Sequence, residues 1–451
     1  MLRPARHLLL SALAVLLPAS GALAQTSPPS TSAVPATSPA EPTPPVPAAS
    51  PAEPTPAVPA TSPAAPYVAP TLGSAATVPP PRPDAAPTPA VVPYASLERG
   101  FGIESGDGRF GVRLGAENLY RAELNQTSPD HWQGQFNLWM VRPQLRMHAF
   151  GQKLRFFFQP EFAGTGAKLL DLEMTYVPHE AFGIRGGQFM TPFSRQWLTP
   201  IPVLGMVDFG AANDYFRWGR DDGVMFFGTP MHGKLEYFAG VFNGNGINQP
   251  TNQRVHGLGV ARLGIAPLGA VPYDQTVFLA RSQPLRFALA ANGYAGRVTP
   301  YHQQYDPVST KPVTVADPDQ RNLTGGLDFA LFWNRLYFLT EAYYRQRTVF
   351  TAGSPTTDSW GMQAQVGYYI APIHLELQTR FNYVDPNVDV HHDWLATYEG
   401  EINYYVAGNH AKLMLHYLHA NAGSHFASPG SISTYFPGKQ ERLMLQAQIF
   451  F

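Results

Sequence analysis

The sequence predicts an all-β chain: a transmembrane antiparallel β-barrel of about sixteen strands, with an inward constriction loop and a disordered Pro-rich N-terminal leader. Three observations predict it. Charged residues make up only 14% of the chain, against about 25% in a soluble globular domain. The second part of the chain alternates apolar and polar residues with a period of two, and its polar set is repeatedly ionised. The chain also finishes on a strand, Glu441 to Phe451, with no polar tail after it.

In that last strand Leu443, Leu445, Ala447, Ile449 and Phe451 alternate with Arg442, Met444, Gln446, Gln448 and Phe450. One face suits lipid and the other a wetter interior. About ten tilted residues cross an outer membrane, and a spanning strand with an open edge is excluded, so this strand must pair with the first one of a closed barrel. The expected orientation puts Leu443, Leu445 and Ile449 outward and Arg442 and Gln446 inward. An arginine at Leu445 should then be costly, and one at Gln446 cheap.

The N-terminal 24 residues carry Arg3, Arg6 and His7, then an apolar run from Leu8 to Leu17, then Ala22-Leu-Ala24. This is the pattern of a signal peptide, cleaved before Gln25. Residues 25–93 are dominated by Pro, Ala, Ser and Thr. Proline removes donors, and few large apolar side chains are present to offset ordering entropy, so a disordered linker of polyproline II character is expected. Its functional reading is a periplasmic spacer making contact with the cell wall; the plainer reading is a solvated leader. Residues 94–451 form the expected outer-membrane barrel domain.

Within that domain Arg142, Gln144, Arg146 and His148 oppose Val141, Pro143, Leu145 and Met147. His374, Glu376, Gln378 and Arg380 form a second such set. A soluble sandwich would put the apolar face in a dry core; here it is the plausible exterior, and the ionised face lines a lumen. Arg142, Arg146, Arg155, Arg185, Arg380 and Arg442 are pore-lining candidates on this pattern. Aromatic girdles are expected at Trp132, Trp139 and the doublets Tyr343–Tyr344, Tyr368–Tyr369, Tyr404–Tyr405 and Phe450–Phe451, with some members turned into the pore, since neighbours in a strand point opposite ways. An even strand number places both ends of the barrel domain in the periplasm.

One interruption stands out. The strand ending Gly186-Gly-Gln-Phe-Met-Thr-Pro192 stops at the proline, and clean alternation returns only near Val224. A connection of that length inside a compact fold is usually functional. Arg195, Arg217 and Arg220 lie in it, accompanied by Asp208, Asp214, Asp221 and Asp222. These arginines are the candidate anion-contacting groups of the constriction, because a guanidinium keeps its charge at any physiological pH and its fork matches oxyanions.

Gly187-Gln-Phe-x-x-Pro-Phe193, then Arg220-x-x-Gly223-Val and Tyr237-x-x-Gly240-Val-Phe-Asn-Gly244, resemble the phosphate-selective porin O and P family. Arg142-x-x-Leu-Arg146 and the segment from Asp171 to Tyr176 are similar to it as well. The resemblance implies a homotrimer of sixteen-stranded barrels in the outer membrane of a Gram-negative-type cell, whose third loop folds inward, and a passive path for small anionic solutes. The chain departs from the family at Met190, where many members have lysine. Modest anion preference without tight phosphate binding is therefore expected.

Other classes find little support. A net charge of −1 gives no basic patch for nucleic acid. There is no cysteine, hence no thiolate metal site or cysteine nucleophile. No Gly-x-Ser-x-Gly elbow is present, and no catalytic residues, metal ligands or cofactor are assigned; His391 and His392 point to opposite faces of any strand. The chain is expected not to be an enzyme. Two alternatives stand beside the anion channel: a general or organic-solute-specific porin, and a barrel that anchors a Pro-rich interaction segment.

Overall fold

A computed structural model describes residues 90–451, apart from 165, 250–256, 276–281, 307–310, 354–355, 428–431 and 433. The expected signal peptide, and the expected linker as far as residue 89, lie outside the described residues. The first strands are β1 (Val91–Ser96), β2 (Gly100–Ser105), β3 (Gly111–Ser128), β4 (His131–Ala149), β5 (Leu154–Glu161), β6 (Lys168–His179), β7 (Phe182–Met190), β8 (Arg220–Gly228), β9 (Leu235–Phe242) and β10 (Leu258–Ile265). They continue with β11 (Gln283–Val298), β12 (Tyr301–Asp306), β13 (Lys311–Ala316), β14 (Gln320–Asn334), β15 (Leu336–Val349), β16 (Thr356–Ile370), β17 (Leu375–Asp385), β18 (Leu395–Ala407), β19 (Ala411–Ala422) and β20 (Gly438–Phe450).

β3 to β11 and β14 to β20 form a closed sixteen-stranded antiparallel barrel, each strand paired with the next and β20 returning to β3 from Arg442↔Asn125 to Phe450↔Glu117. β12 and β13 make a separate hairpin in the connection between β11 and β14. Closure leaves the spanning wall no open edge, the requirement that lipid imposes on strands. The barrel therefore begins and ends at one rim.

The alternation of the sequence is the alternation of the wall. Leu443, Leu445 and Ile449 are exposed outward, while Met444, Gln446 and Gln448 are buried inside and Arg442 is partly buried. The aromatic doublets split across the wall: Tyr344, Tyr368 and Tyr404 are 47–50% exposed, whereas Tyr343, Tyr369 and Tyr405 are 4–5% exposed. Trp132 is exposed. Trp139 occupies a bulge of β4, and its ring lies 4.0 Å from the guanidinium carbon of buried Arg121. Gln446 accepts from Arg121 Nε at 3.0 Å and Nη2 at 2.7 Å. An arginine at Gln446 would set two cations together in a buried place, so that change is not the cheap one the alternation implied.

Two features of the terminal rim were not legible. β1 starts at Val91, inside the stretch read as linker, and pairs with β2. β2 in turn takes the edge of β3 that β20 leaves unpaired, from Phe101↔Leu114 to Glu104↔Gly111. Phe451 and Ala116 exchange two backbone hydrogen bonds of 3.1 Å at the junction, and the Phe101 and Phe451 rings meet edge-on at 5.5 Å. A Cβ at Gly115 would lie 2.4 Å from the Phe451 carbonyl oxygen. Gly115→Ala should therefore push the last strand away and cost about 1–3 kcal/mol, the range for overpacking, measured by urea titration of the barrel in vesicles. The other feature is the segment after β10, described for residues 266–275, on a rim where most of the described connections are tight.

Candidate functional site

Pro192 has no N–H to continue the ladder, and the chain leaves the wall there. The interruption spans residues 191–219 and is closed at its root by Thr191, whose N–H and Oγ1 both donate to the Gly219 carbonyl at 3.0 and 2.9 Å. Inside it are two short helices, α1 (Arg195–Leu198) and α2 (Ala211–Phe216), and a 3-10 turn, Ile201–Val203. Ser194 caps α1 by accepting from Trp197 N–H at 3.2 Å.

The loop enters the lumen and is held there in two ways. Its apolar side chains Phe193, Trp197, Ala212 and Phe216 join Tyr294, Tyr343, Val384 and Leu395 of the wall, together with Phe426, Ile432 and Tyr435 of the connection between β19 and β20. Phe216 stacks on Tyr343 at 5.3 Å, and a Cβ at Gly361 would meet the Phe216 ring at 2.6 Å, so only glycine admits this approach. Its backbone is irregular, and groups removed from water need partners. The wall supplies them: Gln448 donates to Pro202 O, Lys412 to Leu204 O, Asn403 to Gly205 O, Arg380 to Asp208 O, Arg345 to Tyr215 O and Tyr294 to Phe216 O, all at 2.6–2.9 Å. Glu341 and Glu401 accept from Gln196 and Val207 N–H at 2.9 Å. Arg121 forks onto the Asp208 carboxylate at 2.8 and 2.9 Å. Much of the ionised face between β14 and β20 is thus a scaffold for the loop.

Residues 266–275 meet the loop from the opposite rim. Arg195 donates to the carbonyls of Val271 and Pro272, and its guanidinium carbon lies 4.6 Å from the Tyr273 ring centre. Gln275 N–H donates to Val203 O at 3.2 Å, and Gly205 N–H to Gln275 Oε1 at 3.0 Å.

What stays open is a cavity of about 810 Å³ between the β1–β2 hairpin and the loop. Nine arginines and six carboxylates of the described residues line it. The arginines are Arg99, Arg113, Arg142, Arg146, Arg155, Arg185, Arg195, Arg220 and Arg262. Of the loop candidates, Arg195 and Arg220 therefore line the cavity, but each is engaged: Arg195 as above, and Arg220 by a two-bond fork onto Asp171 at 3.0 Å. Arg217 pairs with Asp214 at 2.7 Å and lies over Trp197 at 4.1 Å.

The wall candidates divide. Arg142 pairs with Glu161 at 2.6 Å, and Arg185 with Glu173 at 3.0 Å. Arg146 reaches only the neutral Gln144 Oε1, at 2.8 Å, and Arg155 Nε is buried with no hydrogen-bond partner among the described residues. Arg380 pairs with Glu399 at 2.5 Å, and Arg442 donates to Asn125 at 3.2 Å; neither lines the cavity. Sequence reasoning passed over Arg121, although Glu117, Leu119, Arg121 and Glu123 alternate inward as clearly as any set, and over residues 266–275.

No family model matches the chain, and no curated protein matches it. Solved structures do. The in-vitro folded trimer form of OmpT, an outer membrane protein of Vibrio cholerae, matches with 13% identity and a TM-score of 0.54, over 76% of this chain and 100% of that one. The outer-membrane expressed OmpT of Vibrio cholerae gives 12% identity and 0.53 over 76% and 98% of the two chains, and a form of it lacking loop L8 gives 12% and 0.51 over 76% and 100%. At such identities the likeness is one of fold.

Proposed function

We propose that this chain is a porin of the Gram-negative outer membrane, a passive, non-enzymatic channel for small solutes with a modest preference for anions. The observation that carries the reading is the open cavity itself, whose described lining holds nine arginines and six carboxylates within a closed barrel; Arg142 and Arg262 are matched by Glu161 and Asp328 behind that lining, which leaves a small excess of positive charge. A lumen with low-dielectric walls and an excess of one charge concentrates the opposite ion. The resemblance to the phosphate-selective porin O and P family supports the same class, while Met190, which stands at a lysine position of that family and lines the cavity, argues for weak phosphate retention. By the same resemblance the assembly is a homotrimer with lipid around it, and the even strand number puts the Pro-rich segment, read from the sequence as residues 25–93, on the periplasmic side.

The test is the reversal potential of the full chain in planar bilayers under a KCl gradient. The wild type should be anion-selective, and Arg146→Ser with Arg155→Ser should move the potential towards cations. Arg217→Ser with Arg220→Ser should move it too, but at a cost in stability, because Asp171 and Asp214 lose their cationic partners. A cation-selective wild type would overturn the anionic preference.

A further inference from the structure

The inward side chains of β4 to β7 form two rows set by the register. One runs Arg146, Phe157, Glu173, and the next His148, Arg155, Thr175, Arg185. The charges in them do not balance. Glu173 is taken by Arg185 at 3.0 Å, and Arg185 also donates to Thr175 Oγ1 at 3.1 Å. Arg146 has a neutral acceptor and stacks over Phe157 at 4.2 Å, and Arg155 Nε has none. Within these two rows Arg146, Arg155 and Arg185 face the single carboxylate of Glu173; Glu117 and Asp171 stand in the neighbouring rows, where Glu117 holds Gln144 and Asp171 is forked by Arg220, so the rows themselves keep an excess of cations in a partly desolvated wall.

Part of the remaining lining is apolar. Phe238 comes from β9, Trp197, Leu198 and Ile201 come from the loop, and Ala288 and Ala290 leave space beside them. A volume of about 810 Å³ is also far more than one hydrated inorganic ion needs. A phosphate asks for donors around all its oxygens, and the apolar lining offers none. A carboxylate is satisfied by a guanidinium fork on one side, and leaves its body to the apolar surface.

We infer that this cavity is a binding site for organic anions that carry a carboxylate on an apolar body, with the head group on Arg146, Arg155 and Arg185 and the body against Phe238 and the loop. The inference rests on the porin reading and sharpens its solute class. The site is a waypoint: it concentrates the solute between the loop and the terminal rim and releases it again.

The experiment uses the full-length protein in planar bilayers with symmetric KCl and three probes, benzoate, acetate and inorganic phosphate. Benzoate should interrupt the current in a saturable way, with acetate and phosphate at least tenfold weaker. Arg155→Ser should raise the half-blocking benzoate concentration tenfold or more relative to its own open current, and Arg155→Lys should recover part of that. Arg146→Ser gives the same reading should Arg155→Ser fail to fold. Phosphate blocking as well as benzoate, or benzoate block indifferent to both arginine variants, would overturn the site. A chain that conducts ions without any benzoate interruption would overturn the site and leave the porin reading standing; a chain that forms no channel would overturn both.

Discussion

Arg262→Ala is expected to cost about 3–5 kcal/mol, the range for removing one partner of a buried ion pair. Arg262 projects from β10 into the lumen, where it forks onto Asp328 of β14, reaches Glu236 of β9 at 3.1 Å and donates to the Phe193 carbonyl of the loop at 3.2 Å. Both side chains of the Arg262–Asp328 pair are 1% exposed. Without the guanidinium, Asp328 keeps only Asn292 as donor among the described residues, at 3.0 Å, and a buried carboxylate is left uncompensated. Urea titration in vesicles measures the loss. Arg262→Met combined with Asp328→Leu should cost much less than the sum of the single changes, because neither charge then remains to be buried. A cost for the pair equal to that sum would mean that the arginine acts through the Phe193 tether instead.

Leu445→Arg is the second large change. Leu445 is 54% exposed on the outer face and lies across from Ala122 and Leu415 in the neighbouring strands. A cation facing lipid near the midplane costs about 2–4 kcal/mol, whereas Leu445→Met should stay within about 1.5 kcal/mol. A similar cost for the two would place Leu445 at the headgroup level rather than in hydrocarbon. Here Gln446→Arg is no neutral comparison, since its amide oxygen serves Arg121.

The barrel was legible because lipid and lumen impose a period of two on every strand, and the break at Pro192 was legible because proline cannot continue a ladder. The pairings were not. Arg220 lies 49 residues from the Asp171 it holds, and Arg380 is 172 residues from the Asp208 carbonyl. Only the strand register brings such groups together, and a stretch of alternating residues does not state its register. For the same reason the pattern identified inward arginines but could not separate Arg142, already paired, from Arg155, whose Nε has no hydrogen-bond partner among the described residues. The hairpin at Val91 was hidden by its neighbours, since a strand of six residues behind a run of prolines and alanines leaves little alternation to read.

The tethers of the loop also dictate a timetable. Its anchors come from β3, β11, β15, β17, β18, β19 and β20, so strands on both sides of the loop in sequence, β20 included, must be in register before the loop can be seated. Contacts of such sequence separation are late and slow to form. On the porin reading proposed above, the newly closed barrel is a wide, weakly selective hole that narrows as the loop docks. Selectivity should lag conductance when refolding is followed in a bilayer, and the interval between the two is the time the loop takes to find its seat.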